Sequence, residues 1–190
     1  CVTQGEGGAL SVFVGSAIGQ LERVVSRGNV AAVAGGGGYL GGSATTLVIE
    51  ASTFEHNIAA SQIDASRGGG LAIEGGSVSI LGSTFAGNRA GGLGPQAGGG
   101  GISLRGGPTL IRNSTLSGNV VGTTTMDGTE LAADASAAAR FEFVTVEPGL
   151  QVPQRTLLIR PGSTLEIFAS IVRGECSGAG GFVSMGFNVE

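Results

Sequence analysis

The residues able to do chemistry are few and scattered. The 190-residue chain holds one histidine, His56, and two cysteines, Cys1 and Cys176. One imidazole and two distant thiols make neither a zinc site nor a Ser-His-Asp or Cys-His nucleophile. No Gly-x-Ser-x-Gly elbow occurs. The aspartates are Asp64, Asp127 and Asp134 alone, and they do not recur together. Gly36-x-Gly38-x-x-Gly41 matches a dinucleotide fingerprint. That fingerprint needs a helix directly after it, and Ser43 to Glu50 reads as strand. All ten basic residues are arginines standing singly, and the net charge is −4. Nucleic acid needs clustered cations, so it is not an expected partner, and neither is a nucleotide. No residue is assigned as catalytic, cofactor-binding or metal-ligating, and no cofactor is expected. Glu74 and Arg105 are expected to form an outward ion pair, and His56 to be an exposed turn residue. Asn113-Ser-Thr is formally a glycosylation acceptor but reads as a strand entrance.

The elements that hold these residues come from a repeat. Three segments align without gaps at a 31-residue period and end in Asn57, Asn88 and Asn119. The middle copy reads GGGLAIEGGSVSILGSTFAGN, from Gly68 to Asn88. In this alignment Leu40, Leu71 and Ile102 share a column, as do Gly42, Ile73 and Leu104. Leu47, Val78 and Thr109 form another, then Ile49, Ile80 and Ile111, then Phe54, Phe85 and Leu116. Ser52, Ser83 and Ser114 also align. A looser copy runs from Gly7 to Asn29, and a later one from Thr164 to Cys176. Residues 122–155 hold the weakest repeat, with Phe141, Phe143 and Val146 as expected apolar anchors and Ala132 to Arg140 as a distorted coil.

Apolar residues two apart within each copy give strands with one buried face. Gly75-Gly76 and Gly106-Gly107 suit tight turns. Short strands repeating in register predict an all-β parallel β-helix, a solenoid of about 6–7 rungs at roughly 31 residues per rung. Like residues then stack at about 4.8 Å, and the Asn column forms an amide ladder. Glycine makes up 38 residues, but an apolar fraction of 41% gives the chain surface to bury. Cys1 and Cys176 fall about five rungs apart, roughly 25 Å, too far for a disulfide between them.

GGAL (Gly7 to Leu10), GGGL (Gly68 to Leu71) and GGGI (Gly99 to Ile102), with FEHN (Phe54 to Asn57) and FAGN (Phe85 to Asn88), resemble the G-G-A-[ILV] and F-x-x-N repeats of the polymorphic outer membrane protein family. SIVRGEC and SMGFN, from Ser170 and Ser184, resemble terminal repeats of such autotransporter passengers. Ser26 and Leu116 depart from the motif's Phe. The resemblance implies a right-handed, single-stranded β-helix exported to the extracellular side or outer-membrane surface of a bacterium, with any membrane contact made by parts outside residues 1–190. The whole chain is expected to be one repeat domain cut from a longer array.

These readings give a non-enzymatic, adhesin-like module binding glycan or a host or cell-surface protein across flat faces, with end-to-end self-association as a further partner. Two alternatives stand beside it. One is a polysaccharide lyase or hydrolase of the pectate-lyase-like class, which needs paired carboxylates or Ca²⁺. The other is a structural spacer.

Overall fold

The computed structural model describes residues 1–13, 18–43, 46–61, 66–92, 98–122, 127–149, 155–186 and 188–189. The chain winds as an all-β parallel solenoid of about five turns, near 29 residues each. One middle turn shows the plan. Ile58–Ser61 belongs to sheet A, Leu71–Ile73 to sheet B, Ser77–Leu81 to sheet C and Thr84–Ala86 to sheet D. Every strand pairs in parallel with its counterparts one turn before and after. The sheets hold five, seven, seven and six strands in that order.

Alternation puts one row of each strand inside. Leu71, Ile102, Leu131 and Leu157 stack in sheet B, with Ile73, Leu104, Ala133 and Ile159 beside them. Sheet C adds the columns from Leu47 to Leu165 and from Ile49 to Ile167. In sheet D the rings of Phe54 and Phe85 lie 4.9 Å apart and 3° from parallel, the spacing that stacked strands impose. All these side chains join one continuous buried cluster.

Two of the expected columns are corrected. Leu71 pairs with Gly38, not Leu40, and Ile73 pairs with Leu40, not Gly42. Leu40 and Thr46 are six positions apart, whereas Ile73 and Ser77, their partners, are four apart. The extra residues sit in this corner, which a gap-free alignment cannot accommodate. Ala132 to Arg140 is not a distorted coil. Asp127–Asp134 and Ala138–Glu142 are strands, because Leu131 and Ala133 supply the inward row that Ile102 and Leu104 supply one turn earlier. Phe141 and Val146 are buried anchors, but Phe143 is 55% exposed and Val144 takes the inside place. Phe143 instead packs edge-on against Phe168 outside.

The corners are what the main chain finds hardest. Buried N–H groups there fall outside the sheet ladders and need partners. Between sheets D and A the Asn column provides them. The Asn57 backbone N–H and side-chain amide both donate to Asn88 Oδ1 at 3.0 Å. Asn88 repeats this toward Asn119 at 2.8 and 2.9 Å, and Asn29 toward Asn57 at 3.0 and 2.9 Å. Each Asn57, Asn88 and Asn119 amide also donates to a carbonyl one turn back, at 2.9 Å. The residue before each Asn must take a left-handed backbone: Gly28, His56, Gly87 and Gly118 have φ from 52° to 63°.

A second ladder serves the corner between sheets C and D. The N–H groups of Val24, Ser52 and Ser83 donate to Ser52, Ser83 and Ser114 Oγ at 3.1 Å. The Ser52, Ser83 and Ser114 hydroxyls donate back to the carbonyls of Glu50, Leu81 and Arg112. This corner is left-handed at Arg23, Ala51, Gly82, Asn113, Phe143 and Ala169. Five of these six carry side chains, at a cost the serine bonds offset.

Asn88→Leu leaves the Asn57 N–H and one of its two amide hydrogens without an acceptor inside the stack. The expected loss is about 1–3 kcal/mol for each buried group left unpaired, read as a lower urea midpoint. An unchanged midpoint contradicts the ladder.

Candidate functional site

The outer rows of the four sheets carry the polar chemistry. Among the described residues nine arginines sit in ion pairs, mostly with a carboxylate one turn away. Strand stacking creates these pairs, since residues in one outward column are neighbours across turns. Arg112 pairs with Glu142, which also takes Arg140 at 2.7 Å. These hydrogen bonds, that of Arg112 foremost, hold the Glu142 carboxyl below the usual carboxylate range. Arg173 with Glu147 and Arg140 with Glu166 lie in the open.

One cluster is different. Glu74 leaves the end of Leu71–Ile73, and Arg105 ends Ile102–Arg105 one turn on, in the same outward column. The expected pair forms, with Arg105 Nη1 3.3 Å from Glu74 Oε2. A third member comes from just before the strand: Arg67, bridged in parallel to Ala34 and Gly98 on the neighbouring turns, places Nε 3.2 Å from Glu74 Oε1. The three side chains are only 18–33% exposed, so this is a half-buried triad. It stands beside the buried ring of Tyr39, whose hydroxyl pKa is raised by burial first and then by the charges of Glu6 and Glu74.

Glu74 and Arg105 also form a wall of a groove of about 440 Å³ along the corner between sheets B and C. Its floor is the glycine pairs Gly75-Gly76 and Gly106-Gly107, and Ser43, Thr46 and Ser77 add hydroxyls. Glycine is required here. A Cβ on Gly107 would stand 1.9 Å from the Gly76 carbonyl oxygen, and its φ is +76°. The result is a side-chain-free floor with a carboxylate, a guanidinium and hydroxyls at its edges. The carboxylate can accept hydrogen bonds there and the guanidinium can donate them.

The other candidates stay apart. His56 is an exposed turn residue, 71% open, near Glu55. Asn113 is a left-handed corner with φ 49°. Asp134 is bound to Arg160 at 3.2 Å, and Asp64 lies outside the described residues. Cys1 and Cys176 are both exposed and far apart in the stack, Cys1 before the first strand and Cys176 on the last strand of sheet B. Among the described residues no three His, Cys, Asp or Glu side chains converge as a metal site. Also among them, no helix is long and apolar enough to cross a membrane.

No protein family, curated protein or solved structure matches this chain.

Sequence reasoning found Glu74 and Arg105 but missed Arg67, whose counterparts on the neighbouring turns are the uncharged Ala34 and Gly98, so no charged column marked it. Glu74→Gln strips two half-buried guanidinium groups of their shared partner. It is expected to lower stability by about 1–3 kcal/mol, whereas Arg173→Gln, at an exposed pair, leaves the urea midpoint unmoved. Equal effects would place the triad among ordinary surface pairs.

Proposed function

We propose that this chain is a non-enzymatic, adhesin-like binding module of an exported bacterial protein, acting at the cell surface or outside the cell. The observation that supports it most is the corner groove with its glycine floor and its Glu74, Arg105 and hydroxyl rim. Ligand classes follow from that chemistry. A neutral or acidic polysaccharide offers paired hydroxyls, and its repeating units match a protein whose surface groups repeat every turn. A host or cell-surface protein is the other partner class suited to the flat faces.

The short G-G-A-[ILV] and F-x-x-N motifs support export as a passenger like those of the polymorphic outer membrane protein family. Those motifs also follow from corner geometry alone, so they carry less weight for function than the groove does.

The test is binding of the labelled chain to an array of bacterial and host polysaccharides, with uronate polymers included and their chain length followed. The expected result is retention on a subset of glycans with no shortening of any polymer. The double variant Glu74→Gln, Arg105→Gln should lose about tenfold or more in affinity. Failure to bind any glycan or cell surface overturns the module reading. Shortening of a polymer overturns its non-enzymatic part.

A further inference from the structure

We propose that Glu130 is a proton-operated latch, fastening residues 127–189 to the turns before them while it is protonated and releasing them when it ionises.

The Asn ladder runs out after Asn119. Ser117 pairs with Glu147, so two residues further along Gly149 stands where the next Asn belongs. Glu130 fills the gap from a different strand. Between Asp127 and Leu131 the sheet B strand advances four positions while its partner advances two, from Arg155 to Leu157. That bulge turns Glu130 inward, where it is fully buried. One carboxyl oxygen accepts the Asn119 backbone N–H at 3.0 Å, and the other accepts the Asn119 side-chain amide. Glu130 therefore takes both bonds that each earlier Asn takes at its single Oδ1.

An asparagine there would be neutral at every pH. A carboxyl is not, and among the described side chains no cation balances it. Among the described side chains, the charged groups of the surrounding strands lie elsewhere, and Arg89, beside Val120 in sheet A, is exposed. Arg105 is with Glu74, Arg155 with Glu175 and Asp134 with Arg160. The Thr129 and Thr156 hydroxyls nearest in the register are buried without hydrogen-bond partners. Burial raises the Glu130 pKa from 4.5 to about 8, against the weaker opposing pull of the Asn119 bonds.

The sign of the effect follows. The unfolded chain releases this proton near pH 4.5, and the folded chain keeps it to about pH 8. Between these values folding takes up a proton, so stability is fullest below the lower value and falls as pH rises toward the upper. Glu142 works in the opposite direction, because its lowered pKa costs stability only on the acid side. Tyr39, its pKa also raised, weakens the fold only above its ordinary value of 10.0, so the weakening up to pH 9 belongs to Glu130. It acts at the joint where the ladder passes from Asn119 to the later turns.

The experiment compares the full chain with Glu130→Gln between pH 4.5 and 9. The urea midpoint of the wild type should fall between pH 4.5 and about 8 and level off above, while that of Glu130→Gln stays level. Backbone hydrogen exchange, corrected for the intrinsic pH dependence of exchange, locates the change in the wild type. Between pH 6 and pH 8.5, peptides from 127–189 should lose protection by about tenfold or more while those from 18–122 keep it. Equal slopes in the two proteins overturn the proposal, and so does a uniform loss of protection along the chain. If Glu130→Gln does not fold, the wild-type exchange profile decides alone.

Discussion

A parallel solenoid must turn its main chain through a corner several times per turn, and each corner leaves buried N–H groups that no sheet can satisfy. The asparagine ladder answers that constraint, and the rest of the molecule follows from it. Each carboxamide oxygen accepts two bonds from the turn before, so it fixes the spacing and the register of adjacent turns together. Once the register is fixed, inward aliphatic residues fall into columns and the phenyl rings of Phe54 and Phe85 stack. A slip of one residue would turn every inward side chain outward.

The outside of the molecule inherits this order. Outward columns bring residues of successive turns within reach of one another, and Arg faces Glu in several of them. These pairs neutralise the faces, but exposed ones add little stability. The corner between sheets B and C differs because it has no side chains on its floor. Close approach of successive turns there demands glycine, and the same demand leaves a groove edged by Glu74 and Arg105. A structural requirement thus produces the surface on which the proposed binding rests.

Much of this was legible in the residues. The recurrence of Asn57, Asn88 and Asn119, with apolar residues two apart, was enough for the parallel stack, its buried columns and the ladder. The Glu74–Arg105 pair followed from the same columns. Three features were hidden for physical reasons. Leu40 was placed one column off, because the length of a corner is not written in the strands that flank it. The serine ladder showed only as three aligned residues, since a hydroxyl that supports a left-handed Ala51 or Asn113 looks in sequence like any strand-entry serine. Glu130 was invisible because it reaches the ladder from another strand through a bulge, in the stretch where the repeat is weakest.

The central claim is that the asparagine amides are buried, bonded rungs of one ladder. Side-chain amide hydrogen exchange, followed by NMR on the ¹⁵N-labelled chain, tests it most directly. The account predicts that the carboxamide protons of Asn57, Asn88 and Asn119 exchange slower than free amides by about a hundredfold or more, as do strand backbone protons. Exchange of these three carboxamides at the rate of a free amide, in a chain whose strands are protected, would contradict it.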